Sequence, residues 1–509
     1  MLKLEPAKLF SDSMILQRDR KNPVWGVGAD DSTVTVSIQD KTVSAPVENG
    51  KWAITLPALC PCQGCEMRIS DGKSVIAISD VAVGEVWLAG GQSNMEFQFK
   101  YDIEYNELVS FLNNRNIRFF DIPRRAYEGQ YPTARLAEYG FWRTLTPLDA
   151  KWFCAVGLYF QLNLEKALNV PVGIIGCNFG GSFASAWTSR DSHMRVPELK
   201  KLLDEYDAAV EALDMEIYEK QITAQEERSA RVDSRPYVDR QLYGEDPVKV
   251  QAEFLAKRFP KCEHKGEDAS PPGTLPMGPK YYNRPAGLWE TMLKEAAPYG
   301  IRGVLWYQGE EDADSRSDFY DKSLAALIGS WRELWGEDFP FLIVQLAPLL
   351  RWLTPAKNFP QLRDNQMAAA KSIPGVFIAC VMDAGEPLNA HPRNKRPVGE
   401  RLALLARGKV YRENILCQSP EMIAAQRKGS ILSFVFENAG DGLRLTGSLP
   451  LMIDGVLITG VEARDDTVTV TTDGLPSSPV TVYFAWENFC EVKLFNSAGL
   501  PAFPFKTKV

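Results

Sequence analysis

Gly90-Gly91-Gln92-Ser93-Asn94-Met95 is the segment of this chain best suited to present a nucleophile. It follows Val86-Trp87-Leu88-Ala89, which reads as a buried strand, and precedes a stretch compatible with a helix. A strand, turn and helix in that order expose a side chain at the carboxyl edge of a parallel sheet, where such folds bind ligands. Gly90 and Gly91 permit the tight turn and close approach of a substrate, and the Ser93 backbone N–H can face a developing oxyanion. A serine hydroxyl needs a base within hydrogen-bond reach, usually histidine, and that base needs an acceptor on its other ring nitrogen.

The chain has only three histidines. His193, after Asp191-Ser192, and His264, in a charged Glu-His-Lys-Gly segment, read as surface residues. His391 follows the apolar strand Val376 to Val381 by the loop Asp383-Ala384-Gly385-Glu386-Pro387-Leu388-Asn389-Ala390, and Pro392 and a helix come after it. That places His391 at the carboxyl edge of the same kind of sheet, and makes it the expected general base for Ser93.

The elements around these residues follow from periodicity. From Asn22 to about Val83 short alternating strands such as Thr33-Val34-Thr35-Val36-Ser37-Ile38 are separated by Gly, Asp and Asn turns, the pattern of a small β-sandwich. Continuous apolar strands at Val172 to Cys177, Gly303 to Tyr307, Phe341 to Leu346 and Val376 to Val381 alternate with helical patterns, which indicates a parallel sheet covered on both faces. The expected fold is therefore α/β, with β-sandwich-like domains at both ends and a helical insertion. The predicted domains are an N-terminal β-rich domain over 1–83, a catalytic domain in two parts over 84–196 and 286–412, a mostly helical insertion with its return loop over 197–285, and a C-terminal β-rich domain over 413–509. A helix is predicted from Val398 to Arg412.

Charged residues make up 24% of the 509 and the hydrophobic set 45%, the profile of a globular chain of two or three domains. A net charge of −8 supplies no basic footprint for nucleic acid or an anionic membrane. The first residues lack the apolar core of a signal peptide, and no apolar stretch is long enough to span a bilayer, so a cytoplasmic location is expected. Most of the nine cysteines lie singly in apolar segments, as Cys154, Cys177 and Cys380 do, which fits reduced thiols in a reducing compartment. Cys60-Pro61-Cys62-Gln63-Gly64-Cys65 lacks a fourth ligand at a zinc-like spacing and reads as a turn between two strands. Trp87, Trp187 and Trp306 lie on or beside buried strands and are expected in the core rather than on a sugar-stacking face.

Gly91-Gln92-Ser93-Asn94-Met95-Glu96, Trp306-Tyr307-Gln308-Gly309-Glu310 and His391-Pro392-Arg393-Asn394-Lys395 together resemble the sialate O-acetylesterase family, a branch of the GDSL/SGNH hydrolases. Leu9 to Arg18, Asn178-Phe179-Gly180-Gly181-Ser182 and Gly499 to Phe505 also look like that family, so the resemblance covers nearly the whole chain. It implies an SGNH-type α/β domain flanked by β-rich domains, acting on O-acetylated sugars without a metal or organic cofactor. It also implies that Ser93 is the nucleophile and His391 the base, and that the Gly181 N–H helps form the oxyanion hole.

Two departures from the family pattern bear on the site. Its third motif usually ends in Asn or Asp, and here the residue is Asp312, whose carboxylate cannot donate to an oxyanion. Gln308 carries an amide N–H at the end of its strand and is the preferred extra donor, with a structural hydrogen bond as its other role. Where the family often has Asp two residues before the histidine, this chain has Asn389, which lacks the charge that stabilises an imidazolium. Asp383, Glu386 or a backbone carbonyl can take that place, and Asp383 is favoured. Gln92, Asn94, Glu310, Asp312, Asn389 and Arg393 are expected to support the site or the substrate. Arg393 and Lys395 could bind a sugar carboxylate or make a salt bridge at a helix start. The expected function is a serine esterase acting on O-acetylated sialic acids. Acetylated xylan or mannan oligosaccharides are the alternative substrates, and a carbohydrate-binding protein with an impaired esterase site is the alternative of another class.

Overall fold

A computed structural model describes residues 3–130, 139–231, 233–258, 277–458, 460–472, 475–476 and 478–509. They form two compact units. The first takes Met1–Tyr218, Met277–Trp306 and Ala326–Phe341, and the second Glu219–Pro276, Tyr307–Ala325 and Leu342–Val509. The fold is mixed α/β with additional β-sheets.

In the first unit, alternating side chains build the N-terminal layer. Thr33–Ile38 and Lys51–Leu56 bury every second residue, as strands with one solvated face must. Asn22–Val27 lies between Glu5–Pro6 and Lys51–Leu56, while Thr33–Ile38 pairs with Lys41–Pro46 and Cys62–Ser70. Cys62–Ser70 then pairs antiparallel with the 17-residue strand Val75–Gly91. That strand alternates at first and is wholly buried from Val81 onward, matching the change from Ile-Ala-Ile-Ser-Asp to Val-Trp-Leu-Ala. The predicted boundary at residue 83 falls inside it.

The buried half of this strand pairs in parallel with Val172–Asn178, with Gly91 opposite Asn178. Asn114–Asp121 continues the sheet in parallel on the far side of Val172–Asn178, and Gly303–Tyr307 flanks Val75–Gly91. Trp142–Leu145 closes the edge antiparallel to Asn114–Asp121, so the sheet is mixed where an all-parallel one was expected. An antiparallel neighbour needs no crossover helix, and continuous hydrophobic runs do not distinguish the two directions. The helix Ala155–Leu168 packs on this sheet, and its buried Gln161 donates to the carbonyls of Arg118 and Val172.

Glu85 anchors the central strand where its pairing with Val172–Asn178 begins. Its carboxylate, wholly inaccessible, accepts from Arg18 Nε at 2.6 Å, Arg302 Nε at 2.8 Å and Gln17 Nε2 at 3.0 Å. Burial pushes this carboxyl up, but Arg302 and Arg18 outweigh burial and hold it below the usual value.

Two local expectations change. His193 is fully buried on the short helix Arg190–Arg195, with Nδ1 2.8 Å from the Ser189 carbonyl, because that helix turns Ser192 and His193 inward and its charged residues outward. Cys62 and Cys65 are joined in a disulfide, with Cys60 free and exposed, so the cysteine-rich segment is more than a turn. Trp87, Trp187 and Trp306 are core residues, as predicted.

The insertion is helical over Pro197–Glu211, Met215–Arg231, Arg235–Leu242 and Pro247–Arg258. His264 and the Pro271-Pro272-Gly273 part of the return loop lie outside the described residues.

The strand Phe341–Val344, in the second unit from Leu342 on, neighbours Val376–Ala379, and the helices Phe359–Ser372 and Arg396–Leu405 follow them respectively. The latter runs on as a wider turn, Ala406–Val410, close to the predicted span. Arg363 is fully buried and donates to the carbonyls of Leu346, Ala347, Glu487 and Asn488, tying the loop after Phe341–Val344 to a C-terminal loop. Its guanidinium is pushed down to about 10 by burial. The C-terminal region holds two four-stranded sheets, and Phe434 and Phe436 of one meet Phe505 of the other at ring distances of 5.6 and 6.1 Å.

Candidate active site

Ser93 opens the one-turn helix Ser93–Glu96 directly after the central strand, with Gln92 in extended conformation at its cap. The amides of Met95 and Glu96 both donate to the Gln92 carbonyl at 3.0 Å, which fixes the turn. Gln92 and Asn94 are both buried beside it. The neighbouring strand ends level with this one, and Phe179 N–H donates to the Gly91 carbonyl at 3.1 Å. Gly180 comes next. A Cβ on it would lie 3.6 Å from Ser93 Cβ and 3.4 Å from Glu96 Oε2, so the Gly180–Gly181 turn packs against the serine. Gly181 has φ of 68°, a conformation that favours glycine.

Further side chains hold this turn. Glu96 Oε2 accepts from Gly180 N–H at 2.9 Å, and Glu96 Oε1 pairs with Arg124 at 2.6 Å. On the other flank Asn283 Nδ2 donates to the Gly181 carbonyl at 2.7 Å, while its Oδ1 accepts from Phe183 N–H. Phe179 and Tyr282 stack, with ring centroids 4.8 Å apart. Glu96 ends the motif Gly91-Gln92-Ser93-Asn94-Met95-Glu96, but nothing in the sequence marks Arg124, Tyr282 or Asn283 as its companions.

In the second unit His391 is 7% exposed and its ring meets Trp352 edge-on at 5.1 Å. Its backbone N–H donates to Asn389 Oδ1 at 3.0 Å, Asn389 Nδ2 donates to Glu386 Oε2 at 3.0 Å, and Arg393 N–H donates to Glu386 Oε1 at 2.7 Å. Burial, and then the charge of Lys395, push the imidazole down to about 3, so at neutral pH it is uncharged. Lys395 itself is buried, 5.7 Å from the centre of the Tyr307 ring.

Asp383 does not take the position expected of an acid on His391. Arg401 Nη1 and Nη2 donate to its two oxygens at 2.6 and 2.7 Å, and Arg401 Nη1 also reaches the Cys380 carbonyl at 2.9 Å. The carboxylate is the counter-ion of a bidentate arginine. Asn389 and Glu386 brace the loop through its backbone.

Gln308 is fully buried and its amide is oriented from both ends. Nε2 donates to Asp312 Oδ2 at 2.6 Å, and Oε1 accepts from the Tyr320 hydroxyl at 2.6 Å. Asp312, poor as an oxyanion donor, thus fixes which end of the Gln308 amide is nitrogen. Gln366 Nε2 donates to the Gln308 carbonyl, and a Cβ on Gly309, whose φ is 151°, would lie 2.8 Å from Leu362 Cδ2. Glu310 follows in the same turn.

Within the first unit the structure brings together Ser93, Gly181 and Gln92. Within the second it brings together His391, Asn389 and Glu386, and separately Gln308 and Asp312. Among the described residues no cluster of three or more His, Cys, Asp or Glu side chains is arranged for a metal ion, and no helix is long and apolar enough to cross a membrane.

Residues 277–403 match the family model for carbohydrate esterase, sialic acid-specific acetylesterase. The sialate O-acetylesterase of Rattus norvegicus is 25% identical over 460 residues, covering 81% of this chain and 75% of that protein. That of Homo sapiens is 24% identical over 566 residues, covering 98% and 91%. The crystal structure of a carbohydrate acetylesterase from Xanthomonas citri matches with a TM-score of 0.76 at 27% identity, over 99% of both chains. The chain is a carboxylic ester hydrolase, similar over most of its length to the sialate O-acetylesterases. In this esterase the Gln308 and His391 motifs fall inside the matched family segment, and the Ser93 motif precedes it.

Proposed function

We propose that the esterase removes O-acetyl groups from carbohydrates through an acetyl-enzyme on Ser93, with His391 as general base, in the SGNH manner. The seat of Ser93 carries this reading: a side chain at the end of a buried central strand, with the Gly180–Gly181 turn against it. In the first step Ser93 Oγ attacks the acetyl carbonyl carbon as the imidazole takes its proton. The bond from that carbon to the sugar oxygen breaks, and the proton passes to the leaving sugar hydroxyl. Water, deprotonated by the same imidazole, then attacks the acetyl-serine, and acetate leaves as Oγ regains a proton. The N–H groups of Ser93 and Gly181 and the amide of Gln308 are the proposed oxyanion donors.

His391 is uncharged at neutral pH, the protonation state that a general base needs, while burial lowers its basicity. Asp383 is held by Arg401, while Trp352 meets the His391 ring edge-on and Asn389 and Glu386 brace its backbone. Sialic acids acetylated on the glycerol chain are the first-choice substrate, supported by the matched family and the mammalian relatives. Arg393, on the His391 loop, is the candidate for their carboxylate. The likeness to a carbohydrate acetylesterase keeps acetylated xylo- and manno-oligosaccharides as the second choice.

The test measures acetate released from O-acetylated sialic acids beside acetylated xylo- and manno-oligosaccharides, for the parent, Ser93→Ala and His391→Ala. The expected result is turnover fastest on the sialic acids and abolished in both variants. Unchanged turnover by Ser93→Ala would falsify the nucleophile assignment.

A further inference from the structure

The oxyanion role proposed for Gly181 raises a conformational question. The peptide joining Gly180 to Gly181 carries the proposed donor, and a peptide between two glycines has wide freedom to rotate. Unless something holds it, its N–H has no fixed direction, and a donor that must reorient during the reaction contributes little to stabilising the charge.

The two flanking peptides are held. The one before it presents the Gly180 N–H to Glu96 Oε2 at 2.9 Å. The one after it presents the Gly181 carbonyl to Asn283 Nδ2 at 2.7 Å. These bonds fix the two Cα atoms that define the axis of the plane between them, and so confine the Gly181 N–H to directions about that one axis. Glu96 belongs to the same helical turn as Ser93, so one carboxylate ties the glycine turn directly to the proposed nucleophile. Arg124 holds the other carboxylate oxygen at 2.6 Å, and its Nη2 donates to the Tyr139 hydroxyl at 2.9 Å. The two side chains of the pair are 22% and 23% exposed, which leaves the interaction only partly screened.

We infer that Glu96, backed by Arg124 and opposed by Asn283, is a positioning residue that aims the Gly181 N–H at the oxyanion beside Ser93. The inference rests on the Ser93 reading above. Glu96 touches neither acetyl group nor sugar in this scheme. Its effect is confined to the transition state, where the oxyanion exists, and leaves ground-state binding unchanged.

The experiment compares the parent with Glu96→Ala, Glu96→Gln, Asn283→Asp and Ser93→Ala in the full chain. It measures kcat and KM on an O-acetylated sugar, affinity for a boronic acid that forms a tetrahedral adduct on serine, and the thermal midpoint. Glu96→Ala is expected to lower kcat by about 10²-fold, the scale of one lost oxyanion donor, with KM within about twofold. Boronate affinity should fall in parallel. Glu96→Gln retains an acceptor for the Gly180 N–H and should recover about tenfold of that loss, while Asn283→Asp, which loses the donor to Gly181, should repeat the kcat effect. A Glu96→Ala protein that keeps kcat within about twofold while Ser93→Ala is inactive overturns the inference and spares the nucleophile. Loss of kcat that Glu96→Gln does not recover also overturns it. An active Ser93→Ala overturns the underlying reading instead.

Discussion

Asp383→Asn removes one charge from a bidentate pair whose bonds measure 2.6 and 2.7 Å and whose side chains are 10% exposed at Arg401 and 19% at Asp383. Breaking a buried pair costs about 3–5 kcal/mol, and a hydrogen bond to a charged group contributes about 1.5–3 kcal/mol. The partial exposure of Asp383, and the one acceptor oxygen that asparagine retains, place the loss near the bottom of these ranges, at about 2 kcal/mol. For a folding unit of this size, that corresponds to a thermal midpoint lower by about 4–8 °C. An acid bonded to the base of a serine triad behaves differently, since its amide lowers kcat by about 10⁴-fold. The geometry places Asp383 in the first class, so kcat should fall by less than about tenfold in the folded variant. Acetate release at saturating substrate, well below the melting range, gives kcat, and a thermal scan of the same preparation gives the midpoint. A loss of about 10³-fold or more in kcat with an unchanged midpoint would refute the reasoning and restore Asp383 as the acid.

The pH dependence follows from the uncharged His391. With its folded value pushed down to about 3, the acid limb of kcat/KM should lie well below the ordinary histidine range near 6.5, and a limb at 6.5 or above counts against it. The same shift acts on stability: the unfolded chain takes up the proton first as pH falls, so this contribution is intact above about 6.5 and lost progressively toward 3, as urea midpoints across that window should reveal. Asp312→Asn leaves Gln308 without its charged acceptor and should lower kcat by about tenfold or more with little change in KM, while equal loss in both parameters opposes an oxyanion role for Gln308. Gly309→Ala forces a side chain into a left-handed backbone 2.8 Å from Leu362 Cδ2 and should cost about 1–3 kcal/mol, read as a lower midpoint.

Parts of this arrangement were legible because they are local. The Ser93 turn announces itself by an apolar run, two glycines and a helix start within about ten residues, and the C-terminal strands by simple alternation. His391 stood out because so few histidines compete with it. Contacts across long stretches of chain were not legible. The bond from Gly180 to Glu96 spans 84 positions, and the stack of Phe179 on Tyr282 joins segments on either side of the insertion's helices. The nearness of Asp383 to His391 in sequence likewise says nothing of Arg401 on the following helix, which holds its carboxylate. His193 looked exposed because its neighbours are charged, although a single turn of helix suffices to face those charges outward and bury the ring. The Cys62–Cys65 bridge lies where the strand register shifts, an irregularity that alternation cannot reveal.

The strand Val75–Gly91 belongs to two layers at once, with one half hydrogen-bonded to Cys62–Ser70 and the other to Val172–Asn178. Ile15–Gln17 pairs with it at Ala82–Gly84, where the two halves meet. Trimming the gene to a minimal hydrolase that starts near residue 84 would therefore cut through a continuous backbone ladder. Such a fragment would lose Arg18 and Gln17 from the inaccessible Glu85, leaving only part of its compensation. The remainder of the strand would keep Val172–Asn178 and Gly303–Tyr307 as neighbours but begin at a cut end beside Glu85. The N-terminal β layer is in this sense part of the foundation of the serine, and insoluble protein is the expected outcome of removing it.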